Sequence, residues 1–237
     1  MKILSIDSAT ECASCAVIDE NKLIGEISLN YKKQHSVILM PMVDSLLKSL
    51  EFTIKDIDGF VVSKGPGSFT GLRIGISMIK GLSQGTNKPF VSVSSLDALA
   101  YNMSYTGGII CPILDALRDN VYTALYSFKN DKLIKLTDYM ALHIDELIEM
   151  LKQYDCSVTF LGDAAMKFKS KLLKSFDKNH FAPNHLNLVK ASSLGELGLN
   201  MLSSGIRDEL FSTSPIYIRK PQAVREYEKR TGLDING

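Results

Sequence analysis

Several groups of residues have the types and spacing that chemistry needs. Gly65-Pro66-Gly67-Ser68-Phe69-Thr70-Gly71 lies between a hydrophobic run and an amphipathic one, where a strand-to-helix turn offers backbone N–H groups to a phosphate. Its spacing, G-x-G-x-x-x-G, is one residue longer than a dinucleotide fingerprint, and no Lys-Ser or Lys-Thr follows as a P-loop requires. The turn therefore reads as a helix entry, with phosphate binding as the alternative. Cys12 and Cys15 form a C-x-x-C, a spacing used by zinc and redox sites. They fall in an expected strand, where residues three apart point to opposite faces, and no second cysteine pair or histidine pair completes a four-ligand set. Both read as core.

The four histidines, His35, His143, His180 and His185, show no H-x-x-x-H or H-E-x-x-H spacing, so no helix presents two imidazoles to a metal. Ser68 and Thr70 sit near glycines without a G-x-S-x-G elbow or a marked partner base, which argues against a hydrolase triad. Two acids, Asp7 and Asp115, end strand-like runs, the position where open α/β sheets gather ligands. Lys167, Lys169, Lys171, Lys174 and Lys178 crowd one expected helix, and Arg219, Lys220, Arg225, Lys229 and Arg230 follow later. Both clusters read as solvated faces, with contact to RNA phosphates as the alternative.

Strands are expected at Ile3 to Asp7, Cys12 to Asp19 and Lys22 to Tyr31 from their alternation. A helix over Ser36 to Leu50, a strand at Gly59 to Ser63, a helix from Phe69 to Gln84, a strand at Pro89 to Val93 and a helix from Ser95 follow. After Gly107-Gly108 the order begins again. Strands are expected at Ile109 to Leu114, Val121 to Phe128 and Leu133 to Met140, then a helix from Ile144 to Gln153, a strand at Ser157 to Leu161 and a helix from Ala164 to Ser175. Both halves read βββαβα, with Asp7 and Asp115 at equivalent strand ends. Two such lobes, 1–104 and 105–237, describe an actin-like ATPase, or ribonuclease-H-like, α/β fold. A helix over Ser192 to Ser204 is placed to cross back onto the first lobe.

The chain has 237 residues, 45% of them hydrophobic, with 27 Lys+Arg against 26 Asp+Glu and a formal net charge of +1. That composition excludes disorder and offers no basic domain for nucleic acid. No apolar run approaches the roughly 20 residues of a membrane span, so the protein is expected to be cytoplasmic, with its four cysteines free.

Two helices stand out. Val37, Ile38, Leu39, Met40, Met42, Val43, Leu46, Leu47 and Leu50 cover more than the ~100° stripe that a core-facing helix needs. The next helix carries Gly71, Gly75, Met78, Leu82 and Gly85 near one face, and each helical glycine costs roughly 1 kcal/mol relative to alanine. Such a face implies close backbone approach, either within the chain or at a subunit interface.

ILSIDSAT at the start, QHSVILMP before the first long helix, KGPGSFTGLRIG at 64–75 and PIYIR at 215–219 together resemble the bacterial TsaB (YeaZ) family over nearly the whole chain. The resemblance implies the actin-like fold in two lobes and a part in making threonylcarbamoyl-adenosine in ANN-decoding tRNAs. It implies a non-catalytic partner of the paralogous transferase TsaD, working with the ATPase TsaE and forming a homodimer when alone, with tRNA reached indirectly. The implied partner surface is the two helices, with His35, Leu39, Met42, Val43, Leu46, Gly71, Gly75, Met78 and Leu82 as candidate contacts. The catalytic paralogue's H-x-x-x-H metal pair is matched here by His35 and Leu39. Asp7 is followed by Ser8-Ala9-Thr10 instead of a glycine loop, so Asp7, Thr10 and Asp115 form at most a degenerate nucleotide site. ATP and a divalent metal are then expected on the partner subunits, with none held by this chain. One departure is Asp115-Ala116-Leu117-Arg118, where the family reads Asp-Ala-Arg. The rival reading is an enzyme acting by itself, an actin-like ATPase or kinase using Asp7 and Asp115, or a glycoprotease-like peptidase.

Overall fold

The computed structural model describes residues 1–31 and 34–219 together with Tyr227, Arg230 and Thr231. Most of the charged tail from Ala223 onward, including Arg225 and Lys229, lies outside the described residues, as does Lys220. Among the described residues no helix is long and apolar enough to cross a membrane.

The first lobe is a five-stranded sheet. β1 (Ile3–Asp7), β2 (Ala13–Ile18) and β3 (Leu23–Leu29) form an antiparallel meander, and β4 (Gly59–Ser63) and β5 (Phe90–Val93) add in parallel to give the order β3-β2-β1-β4-β5. α1 (His35–Ser49) and α2 (Phe69–Thr86) cover one face, and α3 (Ser95–Tyr101) follows β5. In the second lobe β6 (Ile109–Asp115), β7 (Asn120–Thr123), β10 (Met140–His143), β11 (Val158–Leu161) and β12 (Asn179–Phe181) repeat that order and those directions as β10-β7-β6-β11-β12. α4 (Ile144–Leu151), α5 (Asp163–Lys167) and α6 (Lys169–Ser175) pack on its outer side. The ribonuclease-H-like duplication is thus present in topology without any repeat in sequence.

Two expected strands of the second half are interrupted. The run Val121 to Phe128 breaks into β7 and β8 (Tyr126–Lys129), and Leu133 to Met140 breaks into β9 (Lys132–Lys135) and β10, because Leu125 N bonds the Thr137 hydroxyl instead of continuing the ladder. The resulting β8–β9 hairpin is an addition that the first lobe lacks. The expected helix over Ala164 to Ser175 is likewise divided, at Phe168.

β1 explains how the first lobe is layered. Its period-2 alternation sends Leu4 and Ile6 towards α1 and α2, and Ile3 towards the opposite core. That opposite face is closed by α7 (Ala191–Ser203), which returns from the second half to lie across β1, β2, β4 and β5. Gly195 and Gly198 permit the approach, since a Cβ there would meet Ser5 Oγ at 2.8 Å and Val61 Cγ1 at 2.4 Å. Ser5 Oγ donates to the Ala191 carbonyl at 2.6 Å, and Glu26 accepts from the Ser192 N–H and hydroxyl, both at 2.9 Å. An acid at that helix N-terminus also offsets its dipole. The helix expected over Ser192 to Ser204 thus does pack back onto the first lobe, although it follows the second in sequence. A continuous apolar core, including Val91, Leu96, Leu99, Ile110, Tyr126 and Leu161, joins the lobes at their base.

Candidate functional site

The carboxyl ends of β1, β6 and β11 meet the glycine-rich turn around an interlobe cleft of about 1500 Å³. The first wall is filled by the chain itself. The Ser68 N–H donates to the Ala9 carbonyl at 2.6 Å, Gly71 N–H donates to Ser68 Oγ at 3.2 Å, and Ser8 Oγ donates to the Gly71 carbonyl at 2.8 Å. A Cβ at Gly67 would lie 2.2 Å from the Ala9 oxygen, and one at Gly71 2.0 Å from the Ser8 oxygen. The turn's glycines thus let the loop Ser8–Thr10 settle onto the start of α2.

Asp7 lies beneath that loop with 0% of its surface exposed. Its Oδ1 accepts a 3.4 Å bond from the Ala9 N–H, while Oδ2, like the nearby Ser63 Oγ, has no hydrogen bond of good geometry. Burial pushes the carboxyl up to about 7, against the opposing pull of the Ser63 hydroxyl and the Ala9 and Ser8 backbone N–H groups. Thr10 and Asp115 do line the cleft, whereas Asp7 does not.

On the second wall Asp115 accepts from the Leu117 N–H at 2.9 Å and from Lys167 Nζ at 3.1 and 3.2 Å. Its own N–H donates to Asp163 Oδ1 at 2.8 Å, and burial raises the pKa of Asp163. Lys171 pairs with Asp145 at 2.6 Å, and Lys169 stands 5.4 Å over the Phe181 ring. Three lysines of the crowded helix are therefore engaged within the chain.

A model of the family described as tRNA N6-adenosine threonylcarbamoyltransferase (TsaD) matches residues 22–227. A tRNA threonylcarbamoyladenosine biosynthesis protein, TsaB, from Bacillus subtilis is 41% identical over 162 residues, covering 68% of this chain and 71% of the relative. The chain belongs to the TsaB family. YeaZ from Pseudomonas aeruginosa superposes with a TM-score of 0.77 at 22% identity over 91% of this chain and 99% of that one. A hexokinase from Thermus thermophilus shares the fold at a TM-score of 0.51 and 10% identity, covering 86% of this chain and 100% of the other. The family's work is the biosynthesis of threonylcarbamoyladenosine in tRNA.

For a member of the TsaB family, the helix pair is the other place of interest, and the structure turns it differently from the sequence reading. Leu39, Met42, Val43 and Leu46 are 1 to 5% exposed and point into the core beneath α1, and Gly71 and Gly75 are buried too. A Cβ on Gly75 would meet Ser8 Oγ at 2.4 Å, so its absent side chain serves packing inside the lobe. These six candidate contacts are corrected to core positions, and a Glu at 43 or a Leu at 75 would break the fold before it tested any surface. Because α1 is apolar nearly all round, periodicity alone did not fix which face turned outward. Val37 and Met40 do, at 64% and 50% exposure, with Pro41 beside them. On α2, Met78 and Leu82 are half-buried, and among the described residues nothing outside the helix's own backbone lies within 4 Å of a would-be Cβ at Gly81 or Gly85. His35, half-buried, donates from Nε2 to the Thr10 carbonyl at 2.8 Å, since that oxygen can only accept. It fastens the start of α1 to the loop that covers Asp7.

Cys12 and Cys15 are buried and free, and burial pushes both thiols up to about 12. The C-x-x-C is therefore core and not an exposed thiol pair.

Proposed function

We propose that this chain is a non-catalytic subunit that binds a TsaD-like transferase through the outward faces of α1 and α2 and holds it in a competent state. The observation that carries the reading is Gly81 and Gly85, two helical glycines that nothing among the described residues requires. Each costs the helix about 1 kcal/mol, and both are exposed on α2, which covers one face of the first sheet together with α1, the helix that exposes Val37 and Met40. A closely packed helix from another chain would account for all four residues. The same face serves a homodimer when the chain is alone, and a TsaE-like ATPase joins the pair in the full assembly.

The filled glycine turn and walled-off Asp7 do not fit a nucleotide's phosphates. ATP and its divalent metal are accordingly assigned to the partner subunits, and no catalytic residue is assigned here. tRNA is reached through the partner, in keeping with the internal pairing of Lys167 and Lys171.

The test is a binding titration of Gly81→Leu and Met40→Glu variants against the transferase of the same host. Gly81→Leu should leave the monomer as stable or about 0.5–1 kcal/mol more stable, while affinity falls about tenfold or more, the consequence of overpacking a close contact. Unchanged affinity in both variants would remove the assigned face. The enzyme reading is tested separately by threonylcarbamoyladenosine levels in cells carrying only Asp7→Asn, which the subunit reading expects to be normal and the ATPase reading expects to be lost.

A further inference from the structure

Beyond α7 the chain crosses the first lobe and then reaches the second. Asp208 N–H donates to the Phe90 carbonyl at 2.9 Å, and the Asp208 carboxylate accepts from the N–H and hydroxyl of Ser92. Those bonds lie along β5, the outermost strand of its sheet. Lys80 Nζ donates to the Thr213 carbonyl at 2.8 Å, and Ile216 N–H to the Lys64 carbonyl at 2.7 Å. Tyr217 then stacks on Phe69 with ring centroids 5.1 Å apart. The Arg73 guanidinium stands 3.9 Å over Phe69, and its Nε donates to the Tyr217 hydroxyl at 3.0 Å. Two residues on, Arg219 Nη1 donates to the Ala116 carbonyl of the second lobe at 2.9 Å. Ile216, Tyr217 and Arg219 all line the cleft.

The landing point is a strained loop. Leu117, Arg118 and Asp119 all have left-handed backbones, with φ of 63°, 54° and 57°, a conformation that disfavours side chains bearing a Cβ. The loop is held by several bonds at once. Asp115 accepts from Leu117 N–H, Asn120 Nδ2 donates to the carbonyls of Leu117 and Arg118, and Ile144 N–H donates to the Asp119 carbonyl. The apolar core joining the lobes includes Val91, Leu96, Leu99 and Tyr126, which do not line the cleft, and it reaches the cleft at Leu114. The tie from Arg219 to Ala116 adds a polar bond between the lobes within the cleft, beside that apolar join.

We propose that residues 206–219 are a clasp across the cleft, anchored on the first lobe by Asp208, Lys80 and the Phe69–Arg73–Tyr217 stack and caught on the second lobe by Arg219. Arg219 acts as a positioning residue that sets how far the lobes part. Its bond to Ala116 is charge-assisted, and loss of such a bond should raise the open population about tenfold or more.

The clasp belongs to the isolated chain and needs no partner, so its failure and that of the docking face can be told apart. Spin labels at Gln34→Cys and Met166→Cys face each other across the cleft from opposite lobes. They are introduced with Cys156→Ser, since the remaining cysteines are buried. Dipolar spectroscopy on labelled chains diluted in unlabelled protein should give one narrow distance in the parent. Arg219→Ala, and independently Tyr217→Ala, should add a longer population, with circular dichroism confirming that each variant is folded. A longer population in either folded variant supports the clasp. Distributions identical to the parent in both overturn it.

Discussion

Replacing Asp7 by asparagine should stabilise the chain at alkaline pH and do almost nothing at acid pH. The carboxyl is fully buried and its folded pKa is raised from 3.8 to about 7, burial being the main cause. Below 3.8 the group is neutral in both folded and unfolded chains. Between 3.8 and about 7 folding takes up a proton, so its contribution to stability declines as pH rises, and above 7 the decline is complete. At about 1.4 kcal/mol per pKa unit the full swing is about 4 kcal/mol. Asparagine removes the charge and keeps the shape, and its amide can donate to Ser63 Oγ, which has no bond of good geometry. Urea unfolding of both proteins at pH 5 and pH 8.5 measures the difference between them, which cancels the other titrating groups. The variant should gain about 2 to 4 kcal/mol more at pH 8.5 than at pH 5, with equal m-values. An equal difference at the two pH values would refute a buried carboxyl that charges on going to alkaline solution.

Two further outcomes follow from burial and close packing. Gly67→Ala and Gly71→Ala should each lose about 2 kcal/mol or more in urea unfolding, because the new Cβ meets backbone oxygen at 2.2 and 2.0 Å; unchanged stability would mean that the Ser8–Thr10 loop does not rest on α2. Native protein should show one thiol reacting with a disulfide reagent, Cys156, and four after denaturation, since Cys12, Cys15 and Cys111 are buried with thiols pushed up to about 12; two or more fast thiols in the native state would contradict that burial.

The first lobe was nearly all legible in the sequence, since strands such as ILSID and GFVVS are short β-rich runs bounded by turn residues, and Ser68 caps α2 where the glycine turn ends. The second lobe was less so. Nothing local in Val121 to Phe128 announces the break at Ala124-Leu125, because both residues are buried and apolar and the interruption comes from a tertiary bond to Thr137. β12 was missed because NHF has no alternation to read, its pairing with β11 alone defining it. At the candidate site the residue types were found and their orientation was not. A helix with apolar residues all round does not say which side meets the core, and glycines that admit a neighbouring loop look the same in sequence as Gly81 and Gly85, which nothing among the described residues approaches. The clasp left only PIYIR as a signal, because its bonds join residues 103 or more positions apart.

The return of α7 also sets an order of events as the chain emerges from the ribosome. Ser5 finds its partner at Ala191, 186 residues later, and the face of the first sheet that holds Ile3, Ile18, Val61 and Val91 has no cover from α7 until then. The amino-terminal sheet must therefore wait, partly bare, while the whole second sheet is synthesised. A contact of that sequence separation slows folding and leaves apolar surface open to wrong partners in the interval. Nascent chains of this protein should depend on chaperone cover until residues 191–203 have cleared the exit tunnel, and the last long helix, not the first strands, marks the moment at which the molecule becomes a closed body.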